Sequence, residues 1–283
     1  MRLVSFEDAA GLQAGILVEE EVVPISALGI GQPSVRELLG GTDAAGLQAL
    51  GRRAPGAGER KALSDVRLLA PVPDPEKIIC LGLNYRDHAA ESGQEIPKAP
   101  MWFAKFANSL IGSGADILLP AAHSEYVDYE AELAVVIGRT AHQVDAARAL
   151  EHVAGAMPFN DVSARDLQIQ NPLWTSGKAV DTFAPCGPAL VTLEEIDDLS
   201  ALGLRTRIDG ELVQEGNTSE LIFNVAETIA WLSRTITLVA GDIIATGTPA
   251  GVGASKNRFL RAGETVSVEV DGLGAVTNPV RAA

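Results

Sequence analysis

The sequence predicts a strand-rich α+β fold, a roll or barrel of short strands with a few packed helices. From residue 77 onward most apolar runs are short and bounded by turn-forming residues, which is typical of strands. Only two amphipathic helices are predicted in that part of the chain, over residues 145–154 and 219–233. Few helices among many strands argue against a doubly wound α/β domain.

The first 70 residues have the character of a small, separate α/β domain. Its predicted elements are strands over residues 2–6, 15–18 and 21–24 and a polar helical stretch over 35–52. The segment that follows, Ala70-Pro71-Val72-Pro73-Asp74-Pro75, carries three alternating prolines, which do not fit a central strand or a helix interior. We therefore place a boundary there and predict a small N-terminal domain over residues 1–70 and a main domain over 71–283.

The main domain is predicted to hold seven strands. The longest apolar run is rich in β-branched residues and follows two glutamates. The seven strands cover residues 77–81, 116–119, 131–137, 189–192, 204–208, 242–246 and 265–270.

Composition and charge exclude several classes of function. With 47% hydrophobic and 21% charged residues, the chain can bury a sizeable core. A formal net charge of −15 argues against nucleic-acid binding and against anionic membrane surfaces, since both require basic patches. Neither a secretory signal nor an apolar run long enough for a transmembrane helix is visible, so we expect a cytoplasmic protein. The two cysteines, Cys80 and Cys186, match no metal or redox spacing and are expected to be buried apolar residues.

Three acidic residues form the first candidate site. Glu130 and Glu132 lie two apart at the start of the longest apolar run, so on a strand both side chains point to the same face. Burying two like charges requires a cation or a proton, and with Asp161 the set suits a hard divalent ion, Mg²⁺, Mn²⁺ or Ca²⁺. The alternative is an edge strand whose acids are simply in water.

A histidine–glutamate pair forms the second candidate. His88 and Glu91 are three residues apart in GLNYRDHAAESG, so they lie side by side on a helical turn. Such a pair can activate water, and the glycines at both ends suit a mobile lid. The alternative is an exposed loop in which the two side chains merely pair at the surface.

The segment Asp161-Val162-Ser163-Ala164-Arg165-Asp166-Leu167-Gln168 is the third candidate. On a helical turn entered from Asn160, the side chains of Asp161, Arg165 and Gln168 would share one face and could hold a metal beside an anionic ligand. The alternative is a capping aspartate with a simple salt bridge. Lys178 lies further along, between small residues, where a lysine is usually exposed; beside a metal-bound carbonyl it would instead stabilise an enolate.

The glycine-rich segment 241–253 does not predict a nucleotide site, because no Gly-Lys-Ser/Thr and no helix pattern follow it. It indicates a strand that runs into a tight turn, where backbone N–H groups and the Thr248 hydroxyl could hold a carboxylate. No Ser-His-Asp grouping or nucleophile elbow is visible.

Taken in order, these motifs resemble the fumarylacetoacetate hydrolase family. The matching stretches are GLNYRDHAAESG, DYEAELAVVIG, NDVSARDLQ, GKAVDTFAPCGP, GNTSELIF and GDIIATGTPAGVG, and they span roughly Pro71 to the C-terminus. The resemblance implies a mixed β-sandwich roll with a compact N-terminal domain, and a homodimer.

The same resemblance implies a role for each candidate. Glu130, Glu132 and Asp161 match the metal ligands, normally for Mg²⁺ or Mn²⁺. His88 and Glu91 match the lid pair that activates water in hydrolase members, and Lys178 matches the lysine that polarises the substrate carbonyl. The positions around the bound oxo acid are matched by Arg165, Gln168 and Thr248.

The leading hypothesis is metal-dependent hydrolysis of a carbon–carbon bond in an acylpyruvate-type 2,4-dioxo acid, through a pyruvate enolate. Decarboxylation of oxaloacetate is the first alternative, and isomerisation or hydration of a 2-oxo-enoate is the second, because both use the same ligands. A catalytically silent metal-binding or protein-interaction module is a further alternative, against which the complete set of site residues argues.

Overall fold

Many short strands and fewer short helices make up the computed structural model, which describes residues 1–31 and 33–283. The strands are β1 Arg2–Asp8, β2 Gly11–Val18, β3 Glu21–Pro24, β4 Lys61–Ala62, β5 Arg67–Leu68, β6 Ile78–Gly82, β7 Met101–Lys105, β8 Leu110–Ile111, β9 Ile117–Leu119, β10 Val127–Asp128, β11 Ala131–Ile137, β12 Val153–Asn160, β13 Ser163–Ala164, β14 Ala184–Pro185, β15 Leu190–Thr192, β16 Gly203–Ile208, β17 Glu211–Asn217, β18 Ile243–Ala245, β19 Thr265–Val270 and β20 Gly274–Ala282. The α-helices are α1 Val35–Gly41, α2 Ala44–Arg53, α3 Arg86–Glu91, α4 Ala146–Ala149, α5 Arg165–Gln168, α6 Thr175–Lys178, α7 Val225–Leu232 and α8 Gly253–Lys256.

Two mixed sheets make up most of this architecture. The larger has eleven strands in the order β4-β3-β2-β1-β15-β12-β11-β18-β6-β7, with β5 beside β1. The smaller has five strands in the order β17-β16-β19-β20-β9. Each sheet contains one parallel pair, β18 with β6 and β20 with β9. The predicted strand-rich α+β class is therefore confirmed.

Strand β11 is central in the larger sheet and buried on both faces. One face packs Leu133 and Val135 against residues of the smaller sheet such as Val268. The other packs Ala134 and Val136 into a core shared with the N-terminal elements. A strand covered on both sides reads as a continuous apolar run, which explains the unbroken stretch seen in the sequence.

The N-terminal strands extend the same large sheet. Arg2 and Leu3 of β1 pair with Val191 and Leu190 of β15, so the segment before residue 70 is hydrogen-bonded directly to the main body. The boundary at residue 70 stays a prediction, because continuity of a sheet does not decide whether its two parts fold independently. The described helices include none with both the length and the apolar character needed to cross a bilayer.

Each of the seven predicted strands of the main domain has a counterpart, but both predicted helices are wrong in extent. The helix predicted over 145–154 ends early: α4 stops at Ala149, a short 3-10 turn follows, and β12 begins at Val153. Strand β12 itself was missed, because its small residues have low strand propensity. At Gly155 a Cβ would lie only 2.1 Å from the carbonyl oxygen of Val191, so close strand packing requires glycine there.

The second predicted helix, over 219–233, is also shorter than expected. It begins at Val225, after Asn224 accepts a hydrogen bond from the Glu227 N–H and Glu227 caps Asn224 in return. The buried side chains of this helix include Val225, Ile229 and Leu232, the apolar face that the sequence indicated. Cys80 and Cys186 are buried and unpaired, as expected.

Candidate active site

The three predicted metal-ligating acids meet at one point of the large sheet. Glu130 and Glu132 project from the start of β11, and Asp161 directly follows β12, the neighbouring strand. One carboxylate oxygen from each residue lies within 4.8 Å of one from each of the others. Glu130 is 6% exposed, and Glu132 and Asp161 are fully buried. The edge-strand alternative therefore fails, because β11 is paired on both sides.

Two cations that the sequence had singled out contact these acids. The Arg165 guanidinium donates from Nε to Asp128 Oδ2 at 2.8 Å, and its Nη1 lies 2.6 Å from Glu130 Oε1. The Lys178 ammonium donates to Glu130 Oε2 at 2.8 Å and to Asp161 Oδ2 at 2.7 Å. Burial alone would lower the pKa of Lys178, but Asp161 and Glu130 outweigh it and raise that pKa. Lys178 is thus a buried, charged group and not the exposed lysine of the alternative interpretation.

The position of Lys178 follows from the packing of α6 against α5. Gly177 lies so close to α5 that a Cβ would approach the Ala164 carbonyl oxygen to 2.4 Å. Only a residue without a side chain permits this approach, which carries the neighbouring Lys178 over the carboxylates.

Two charged residues of the site were missed at the level of sequence. Lys105, at the end of β7, is buried and donates to Asp161 Oδ1 and to the Val162 carbonyl oxygen at 3.0 Å. Asp128 accepts from the Arg165 side chain and from the N–H groups of Gly253 and Ala254. Strand alternation could have found both, since Asp128 lies two residues before Glu130 in the same run, and Lys105 two residues after the buried Phe103.

The site is one positive charge short, and the deficit lies at Glu132. Four buried acids, Asp128, Glu130, Glu132 and Asp161, face three cations, Lys105, Arg165 and Lys178. Glu132 alone contacts none of the cations: its Oε2 accepts from the Gly247 N–H at 2.8 Å, and its Oε1 is buried without a hydrogen-bond partner.

The pKa shifts follow the same asymmetry. Burial, followed by the charges of Asp161 and Glu130, raises the pKa of Glu132 well above its usual value. Burial acts the same way on Glu130, but Lys178 and Arg165 outweigh it and hold the pKa of that carboxyl well below its ordinary range. A divalent cation with oxygen ligands would supply the missing charge beside Glu132, so the residues fit such an ion.

The predicted lid pair lies on α3. His88 Nδ1 is 3.4 Å from Glu91 Oε2, which is a weak contact. Both oxygens of Glu91 accept instead from the Gly251 N–H, at 3.0 and 3.1 Å. The helix is also tied at its start, where Asn84 donates to the Thr246 carbonyl oxygen at 2.8 Å. The two side chains are partly accessible, 18% for His88 and 23% for Glu91, and they lie on a helix, not on the loop of the alternative interpretation.

A cavity of about 320 Å³ brings most of these groups together. Seven of the nine predicted site residues line it, whereas Glu132 and Asp161 are fully buried and do not line it. The seven are His88, Glu91, Glu130, Arg165, Gln168, Lys178 and Thr248. Apolar side chains complete the wall, among them Leu83, Phe103, Trp174 and Val252.

Two local expectations for this site need correction. Asp161 is not on a helical turn with Arg165 and Gln168: it precedes β13, and α5 begins only at Arg165. Asp161 and Arg165 are linked only indirectly, because Lys178 contacts both Asp161 and Glu130 and Arg165 also contacts Glu130. The Thr248 hydroxyl donates to the Ala131 carbonyl oxygen at 2.9 Å, so its donor is used within the protein. The roles assigned to the individual site residues stay predictions.

Known proteins share this arrangement of sequence and fold. The family description Fumarylacetoacetate (FAA) hydrolase C-terminal matches residues 77–281. The mitochondrial oxaloacetate tautomerase of Xenopus laevis is 47% identical over 221 residues, which cover 77% of this chain and 69% of that protein.

Solved structures extend the likeness over the whole chain. The 5-carboxymethyl-2-hydroxymuconate delta-isomerase of Mycobacterium smegmatis superposes with a TM-score of 0.80 at 36% identity, covering 100% of this chain and 99% of that one. The maleylpyruvate hydrolase of Sphingobium sp. SYK-6, crystallised with manganese(II) and pyruvate, gives 0.83 at 30% identity and covers 100% of both chains. This chain is therefore a member of the fumarylacetoacetate hydrolase family, an enzyme whose Glu130, Glu132 and Asp161 form an acidic site suited to a divalent metal ion.

Proposed function

We propose that this enzyme interconverts the keto and enol forms of a 2-oxo acid, with oxaloacetate as the first substrate to test. The observation that favours this reaction is the state of the lid pair. Both carboxylate oxygens of Glu91 accept from the Gly251 N–H, and the distance from Glu91 Oε2 to His88 Nδ1 is 3.4 Å. His88 is then a single proton carrier at the cavity wall. Tautomerisation needs one such carrier, whereas hydrolysis needs a group that also activates water.

The relatives support the same choice. The Xenopus laevis protein, at 47% identity, is named an oxaloacetate tautomerase, and the Mycobacterium smegmatis protein is named an isomerase. Both names describe the movement of a proton and a double bond without the addition of water. For this reason we propose tautomerisation first and hydrolysis, the leading hypothesis from the sequence, second.

In the proposed mechanism the side chains of the cavity divide the work. His88 takes a proton from the carbon next to the 2-oxo group, and the electron pair of the broken C–H bond forms the C=C bond. The carbonyl π electrons move to oxygen, where the ammonium of Lys178 stabilises the negative charge. The protonated His88 then delivers its proton to that oxygen, so that no atom is gained or lost.

Two further groups would bind the substrate. Arg165 and Gln168 line the cavity next to one another, 3.1 Å from Nη1 to Oε1, and would hold the carboxylate of the 2-oxo acid. A divalent ion held by Glu130, Glu132 and Asp161 would supply Lewis-acid stabilisation of the same developing charge. We also propose that the enzyme acts as a homodimer, which light scattering of the purified protein would test.

Hydrolysis of a 2,4-dioxo acid is the second candidate. It is favoured by the 30% identity to a maleylpyruvate hydrolase and by the presence of both His88 and Glu91 in the cavity. If Glu91 left the Gly251 N–H, the pair could take a proton from water. Decarboxylation of oxaloacetate is also compatible with the site, because it requires the same enolate stabilisation.

One assay separates these reactions. The enol of oxaloacetate is added to the Mn²⁺-loaded enzyme, and both the enol absorbance and the release of pyruvate are followed, against a protein-free control with the same metal. Loss of enol without pyruvate supports tautomerisation, and parallel release of pyruvate indicates decarboxylation. Acetylpyruvate is assayed in parallel, and its cleavage at a higher rate than both reactions of oxaloacetate would instead establish the hydrolase.

Two variants test the division of roles within the lid. His88→Ala should abolish most tautomerisation, because the proton carrier is lost. Glu91→Gln keeps a carbonyl oxygen as acceptor for the Gly251 N–H and should retain most of the rate. Equal losses in the two variants would contradict the single-carrier mechanism and favour the hydrolytic pair.

A further inference from the structure

Each of the three carboxylates that suit a metal has one oxygen already held by a donor of the protein other than Lys178. Glu130 Oε1 lies 2.6 Å from Arg165 Nη1, and Glu132 Oε2 accepts from the Gly247 N–H at 2.8 Å. Asp161 Oδ1 accepts from Lys105. Each carboxylate therefore has one second oxygen. Lys178 donates to that oxygen in Glu130 and in Asp161, whereas Glu132 Oε1 has no hydrogen-bond partner.

The donor to Asp161 Oδ1 is Lys105, a buried side chain that has no other role in the site. The Lys105 side chain is fully shielded, and it is absent from the residues that line the cavity. Its second acceptor, the Val162 carbonyl oxygen at 3.0 Å, holds the ammonium in place. By contrast, Arg165 is 18% exposed and lines the cavity, where a bound substrate can compete for it.

The number of oxygens that a carboxylate offers influences which cation it binds. Ca²⁺ accepts six to eight oxygens at about 2.3–2.6 Å and often takes a carboxylate through both oxygens. Mg²⁺, at about 2.0–2.1 Å, demands an octahedron built from few carboxylates and several waters. Three carboxylates with one oxygen each suit the smaller ions, whereas an Asp161 with both oxygens free would favour the larger one.

We propose that Lys105 is a positioning residue that restricts Asp161 to one ligating oxygen and thereby selects Mg²⁺ or Mn²⁺ over Ca²⁺. This inference rests on the metal site of the proposed function but not on the reaction, since ion selectivity is measured by binding without substrate. It also explains why a lysine is buried in a strand end whose other inward side chain, Phe103, is apolar.

The test compares the binding of Mn²⁺ and Ca²⁺ by titration calorimetry in the metal-free wild type and in Lys105→Met. Methionine keeps the length of the side chain and removes the donor. Loss of a nearby positive charge should tighten both ions, so the informative quantity is the ratio of the two dissociation constants. We expect the preference for Mn²⁺ over Ca²⁺ to fall by about tenfold or more, within the range known for changes next to metal ligands.

Lys77→Met is the matched control, because it removes another lysine bound to a buried aspartate, Asp242 at 3.1 Å, that is not among the metal-ligating acids. Its ion preference should equal that of the wild type. An unchanged preference in Lys105→Met, or a wild type that binds Ca²⁺ as tightly as Mn²⁺, would overturn the proposal.

A second measurement decides the matter if Lys105→Met fails to fold. Crystals of the wild type soaked with Mn²⁺ or with Ca²⁺ should both show Asp161 bound through one oxygen, with Lys105 on the other. Asp161 bound through both oxygens, with Lys105 displaced, would refute the role assigned to this lysine whatever reaction the enzyme catalyses.

Discussion

Replacing Glu132 with glutamine tests whether the site is one positive charge short. The Glu132 carboxylate is fully buried, contacts no cation and has one oxygen without a partner. Glutamine keeps the shape and an oxygen for the Gly247 N–H, and it places an amide where the unpartnered oxygen was. The ligating oxygens lie within 4.8 Å of one another. At that separation and an effective dielectric constant of about 20, each carboxylate pair repels by about 3.5 kcal/mol.

The sign of the pH dependence follows from the raised pKa of Glu132. Its usual value of 4.5 is raised well above that in the metal-free fold by burial and by Asp161 and Glu130. The folded state then binds the proton more tightly than the unfolded state does. The contribution of Glu132 to the free energy of unfolding is fully present below its pKa in the unfolded chain. It is lost as pH rises towards its pKa in the folded protein, by about 1.4 kcal/mol per pH unit between the two pKa values. Glu132→Gln cannot lose a proton and should lack this slope.

The assay is urea unfolding of both proteins with a chelator present, between about pH 5 and about pH 8. We expect Glu132→Gln to become the more stable protein as pH rises. With Mn²⁺ at about 100 times its dissociation constant, the wild type should gain about 2.7 kcal/mol and the variant far less. Glu211→Gln, an exposed position, controls for the loss of one charge. Parallel pH slopes in wild type and Glu132→Gln, or equal stabilisation by Mn²⁺, would refute the reasoning.

Three further predictions concern other parts of the molecule. His88→Ala should lower kcat by about 100-fold or more, with Mn²⁺ affinity unchanged by calorimetry; loss of metal binding would contradict its role as a proton carrier. Gly177→Ala should cost about 3 kcal/mol of unfolding free energy and most of the activity, because its Cβ would lie 2.4 Å from the Ala164 carbonyl oxygen. Gly58→Ala, where no atom lies within 4 Å of a Cβ, should cost little in the same denaturation experiment. Burial raises the pKa of Tyr129 to about 12, so its phenolate absorbance should appear only well above the usual value of 10.0. The free energy of unfolding should fall as the pH rises from 10.0 to about 12, and ionisation of Tyr129 near 10.0 in the folded protein would contradict this.

Much of the candidate site could be predicted from sequence because its main signal is local. Strand periodicity alone places Glu130 and Glu132 on one face, and the observed β11 has the predicted bounds. Periodicity failed where packing overrides propensity. Strand β12 was missed because its Gly155 is required by the approach of the Val191 carbonyl oxygen, a contact that no local window contains.

The sequence by itself determined the fold class, the family resemblance, the three acids that the structure brings to one point and the His88–Glu91 pair beside them. Only the tertiary structure decided how their charges are paired. Lys105 reaches Asp161 across 56 positions of the chain, and Glu91 reaches Gly251 across 160. The physical reason is that a periodic pattern reports the direction of a side chain within its own element. The partner of a buried charge depends instead on which elements the sheet order makes neighbours.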